Sequence, residues 1–86
     1  MTEVLAVFRS RSQAIDCNAR LRAMGIPAGI VNTPREANIG CGLSVKIPDK
    51  MFPRARSIVF AAKYSAFYGF LRVNTNYGRA FVGKIN

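Results

Sequence analysis

An α+β sandwich is the fold class this sequence predicts, on three observations. Short apolar runs of strand length alternate with two stretches of helical periodicity, a turn cluster precedes one last apolar run, and no repeat, low-complexity tract or linker divides the 86 residues. A chain of this length can bury one adequate core but not two, so a single domain over residues 1–86 is expected.

The run Glu3 to Phe8 is apolar enough for a buried strand. Ser10 followed by Gln13 has the spacing of a capping box. Ala14, Cys17, Leu21 and Met24 then recur at helical intervals, and Gly25 and Pro27 mark the stop. Ala28 to Asn32 reads as a second strand. After the loop "TPREANIGCG", Leu43 to Ile47 alternates apolar residues with Ser44 and Lys46, the period-two pattern of a strand with one solvated face. Asp49 is placed to cap a second helix, in which Pro53 falls near the first turn and Met51, Ala55, Ile58, Val59 and Ala62 form the apolar stripe. Aromatic content and Gly69 favour a strand from about Phe67 to Val73. "NTNYG" is a turn cluster, and Arg79 to Ile85 returns as a hairpin partner. The order βαββαβ suggests a ferredoxin-like sandwich with an extra C-terminal strand or hairpin. That hairpin could complete the same sheet or pair with another copy, and aromatic-rich edges admit a homodimer.

Composition narrows the function. With 50% hydrophobic and 20% charged residues the chain is too apolar for a disordered tail. Its longest apolar runs fall far below the ~20 residues a membrane span requires, so no membrane partner is expected. Glu3 sits where a signal peptide would be basic, which points to a cytoplasmic location and to reduced thiols at Cys17 and Cys41. The net charge of +9 fixes the sign of a partner but not its kind: nucleic acid, an acidic membrane surface, an anionic small molecule, or an acidic protein surface.

Most reaction chemistry is excluded by what the chain lacks. It has no histidine, and its four carboxylates, Glu3, Asp16, Glu36 and Asp49, are scattered. No catalytic triad can be assembled, two separated cysteines do not make a zinc cage, and no phosphate-binding loop motif is present, so neither metal nor cofactor is expected. What remains is thiol chemistry. Cys41 lies between Gly40 and Gly42, which leave the sulfur unshielded and permit backbone N–H groups to converge on an anion. Such a nest, with Arg35 nearby and the basic field, would favour the thiolate. The plainer reading makes Cys41 a small buried apolar residue and Gly-Cys-Gly a turn. Cys17, on the apolar stripe of the first helix, reads as structural.

Taken together, "TPRE" at Thr33 to Glu36 and "CGLSV" at Cys41 to Val45 resemble the signature of the selenium/sulfur carrier protein-like family: Thr-Pro-Arg, a few small polar residues, then Cys-Gly-Leu. The similarity extends to the opening strand and helix and to "GIP" at Gly25 to Pro27, and fades after the second helix. It implies that Cys41 carries sulfur or selenium as a persulfide or its selenium analogue. Thr33, Pro34 and Arg35 would shape the loop, and a donor enzyme and an acceptor enzyme would be the partners. The chain departs from the family where serines often precede the cysteine, carrying Asn38, Ile39 and Gly40 instead. A carrier or binding protein, rather than a turnover enzyme, is the resulting expectation.

Two other classes compete. The segments "YGFLRV" and "GRAFVGKI" interleave basic and aromatic residues on expected strands, as a module for RNA or other single-stranded nucleic acid would. A non-catalytic interaction domain could use Arg20, Arg22, Arg54, Arg56 and Lys63 to dock an acidic partner, although helical cations are usually a solvated face.

Overall fold

The computed structural model describes residues 2–33, 42–76 and 79–85, with residues 74–76 and 79–84 as backbone only. Strand β1 (Thr2–Phe8) is followed by helix α1 (Arg11–Ala23) and strands β2 (Gly29–Asn32) and β3 (Leu43–Pro48). A 3-10 turn (Asp49–Met51) leads into helix α2 (Phe52–Ala62), and β4 (Phe67–Asn76) and β5 (Arg79–Ile85) close the order. The fold is α+β: an antiparallel sheet in the order β2-β3-β1-β4-β5 with two helices. The C-terminal strand therefore joins the same sheet, with Asn76 opposite Arg79.

Alternation in the strands sets the core. Val4, Ala6 and Phe8 of β1, Leu43, Val45 and Ile47 of β3 and Phe70 of β4 point to one face and pack against Ala14, Cys17 and Leu21 of α1 and Ala55 and Val59 of α2. Phe70 sits among three other rings, Phe52, Phe60 and Phe67, with centroids 4.9 to 5.6 Å away. Leu5, Val7 and Leu71 point the other way and make a second buried cluster, flanked by Val31, Tyr68 and Val73. At the end of β1 the ladder slips: Val7 faces Gly69 but Phe8 faces Phe67, so Tyr68 is an inserted residue. Gly69, with φ of 155°, supplies the backbone freedom this bulge needs.

The helix ends show where local chemistry decides. Ser10 accepts the N–H of Gln13 and so caps α1. The expected reciprocal half of the box is absent: the Gln13 side chain accepts the N–H of Ala66 at 2.8 Å and donates to Ser65 Oγ at 2.8 Å, tying α1 to the start of β4. At the other end Gly25, with φ of 84°, donates to the Arg22 carbonyl, and Ile26 donates to Leu21. This is a Schellman termination, with its apolar contact between buried Leu21 and Ile26. Three sequence expectations fail here. Met24 lies beyond the last helical turn and is 47% exposed, leaving Ile26 to enter the core in its place. Ser44 is fully buried rather than solvated, because its face of the sheet carries the second cluster. Asp49 makes no capping bond; its Oδ1 instead accepts from Arg72 at 3.0 and 3.3 Å.

Burial gives Cys17 a clear titration signature. Desolvation, with a smaller contribution from Asp16, pushes its thiol from 9.0 up to about 12. Burial and the hydrogen bond to Asp16 push Tyr64 from 10.0 up to about 12. Both groups are held neutral in the fold, so their contribution is fully present below about pH 9 and is lost as pH rises through about 12. Urea unfolding at a series of pH values should show stability falling across that window. In Cys17→Ala the fall should be shallower, with only the Tyr64 part remaining.

Candidate functional site

The connection between β2 and β3 carries the residues singled out in the sequence. Antiparallel pairing ends with Asn32 opposite Leu43, which brings the residues just beyond them together. Thr33 donates its N–H to the Gly42 carbonyl at 3.2 Å, and its Oγ1 lies 2.8 Å from the Oγ of buried Ser44. Thr33 and Gly42, two of the expected site residues, thus meet at the root of the loop. Pro34, Arg35, Gly40 and Cys41, and with them the backbone nest expected around Cys41, lie outside the described residues.

Gly42 has a reason to be glycine that its sequence context did not suggest. A Cβ there would lie 2.7 Å from the Phe8 carbonyl oxygen, closer than real side chains approach backbone. Glycine lets the start of β3 press against the end of β1. Arg9, the next residue along, anchors its N–H on the Ala66 carbonyl at 2.9 Å and sets its guanidinium 5.4 Å from the centroid of the Tyr68 ring. That ring belongs to β4, so the guanidinium lies on the side of β1 away from β3 and the loop root.

Sequence reasoning missed Ser44. The alternation in β3 assigned Ser44 to water, and no local signal separates a buried hydroxyl from a solvated one. Cys17 is where its helical spacing put it, and as a buried, protonated thiol it is a poor nucleophile at neutral pH. Among the described residues no group of histidine, cysteine or carboxylate side chains could hold a metal ion. Nor is any described helix long and apolar enough to cross a membrane.

The Thr33–Ser44 pair is a shared bond between a half-buried and a fully buried hydroxyl, so removing one partner strands the other. Thr33→Val should cost about 1–3 kcal/mol in denaturant unfolding, and Ser44→Ala less. Adding Ser44→Ala to Thr33→Val should recover part of the loss, giving a non-additive double-mutant cycle.

Comparison with known proteins adds one positive finding. The family model described as "Putative Se/S carrier protein-like" matches residues 3–68, a span from β1 to the β4 bulge that includes the loop and both cysteines. No match is found among curated proteins or solved structures.

Proposed function

Because the chain belongs to the family described as "Putative Se/S carrier protein-like", we propose that it carries sulfur or selenium on Cys41. The observation that carries this reading is the match over residues 3–68 together with the tied loop root, where Cys41 is covalently joined to the pinned Gly42. Thr33 and Gly42 hold the two ends of the loop, and Pro34, Arg35 and Gly40 complete the support for the thiol. The overall charge of +9 favours thiolate over thiol.

The proposed relay is a pair of exchanges. The Cys41 thiolate attacks the terminal sulfur of a persulfide on a donor enzyme; a new S–S bond forms on Cys41, the donor's S–S bond breaks, and the donor thiolate leaves. A nucleophile of the acceptor enzyme then removes the outer atom and regenerates the Cys41 thiolate. No net oxidant is consumed in either step. Cys17, enclosed in the core, is kept from resolving the persulfide as an intramolecular disulfide. The strand order and the two helices on one face support a ferredoxin-like sandwich extended by β5. We place this carrier in a reducing, cytoplasmic setting, where the thiol would remain available.

Intact mass after incubation with a cysteine desulfurase and cysteine tests the carrier reading. The wild-type chain and Cys17→Ala should each gain one sulfur atom, and Cys41→Ala none. Absence of added sulfur on the wild type, or equal addition to Cys41→Ala, would refute it.

A further inference from the structure

The two helices present a surface whose charge the carrier chemistry does not use. α1, α2 and the residue capping α2 hold Arg11, Arg20, Arg22, Arg54, Arg56 and Lys63 against one carboxylate, Asp16. Asp16 is already occupied, accepting the Tyr64 hydroxyl at 2.6 Å and lying 3.7 Å from Arg20. Among the described residues none of the other five cations forms an ion pair. Like charges gathered on one surface repel, so this layer is destabilising by itself and relieved by an acidic counterpart.

Two of the cations are also preset. Arg54 donates to the Met24 carbonyl at 2.6 Å, joining α2 to the end of α1, and Arg22 donates to the Ala28 carbonyl at 2.7 Å. Each guanidinium has five N–H donors, so one anchored hydrogen bond orients the group and leaves others free for carboxylates. On the same layer Ile15 of α1 and Met24 at its end are 54% and 47% exposed and offer apolar contact.

We infer that the helix layer is a docking surface for an acidic, partly apolar protein surface. Single-stranded nucleic acid fits it less well, because binding of that kind relies on aromatic faces open to stacked bases. Phe60, although 42% exposed, has Arg56 4.7 Å from its centroid and edge contacts to Phe67 and Phe70, while Tyr64 is hydrogen-bonded to Asp16 beneath Arg20. The ionic part of the association sets recognition and encounter rate and is screened by salt. If the carrier reading holds, the docked protein is the donor or the acceptor. The surface itself does not depend on the thiol.

A fluorescent peptide with leucine and glutamate at helical spacing, and an oligouridylate of equal charge, serve as probes in anisotropy titrations with Cys41→Ala protein. The expected result is tighter binding of the peptide, weakened by added salt. The pair Arg20→Gln and Arg54→Gln should reduce its affinity roughly tenfold. The pair Arg9→Gln and Lys46→Gln, which removes the same charge elsewhere, should change it less than about twofold. Circular dichroism establishes that both variants are folded. Absence of peptide binding, tighter binding of oligouridylate, or equal losses for the two pairs would overturn the inference. Because the protein lacks Cys41, failure here is separable from failure of sulfur transfer.

Discussion

Five consecutive residues of β1, Val4 to Phe8, are buried on both faces of the sheet, and the other elements take their positions from this strand. It lies between β3 and β4 and pairs antiparallel with both. Val4, Ala6 and Phe8 supply the floor on which the helices sit, and Leu5 and Val7 anchor the opposite cluster. A strand enclosed in this way cannot slip by one residue without exchanging its two apolar faces, so the register of the whole sheet is set there. Its last carbonyl, on Phe8, is also the group against which Gly42 packs.

The candidate site follows from that frame. The loop after β2 starts at Thr33 and ends at Gly42, and both ends are fixed by contacts to ordered strands: Thr33 to Ser44 and Gly42, and Gly42 to Phe8. Fixed ends suit the proposed carrier role, since the scaffold at the loop root would remain folded while the thiol is engaged. Burial holds Cys17 neutral and keeps it apart from the transfer role proposed for Cys41, which precedes Gly42 in the sequence.

Much of the fold was legible because its signals are local. The apolar run of β1, the helical spacing of Ala14, Cys17 and Leu21, the Gly25 stop and the Arg79–Ile85 return strand can each be read from neighbouring residues alone. The failures were tertiary. Ser44 was assigned to solvent because alternation cannot reveal a second buried face, and Asp49 was assigned to a cap because Arg72, its actual partner, is 23 residues away. Gln13 chose Ala66 over its own helix for the same reason. In the site, "TPR" and "CGL" pointed to the loop, but the steric need for Gly42 depends on β1 lying beside β3.

The central claim is that Cys41 is an accessible thiol held largely as thiolate. Its most direct test is the rate of alkylation by iodoacetamide as a function of pH in Cys17→Ala, where Cys41 alone reacts. A midpoint about one unit or more below the ordinary thiol value of ~8.5 is expected. A midpoint at or above that value, or a thiol that reacts only after unfolding, would contradict the claim.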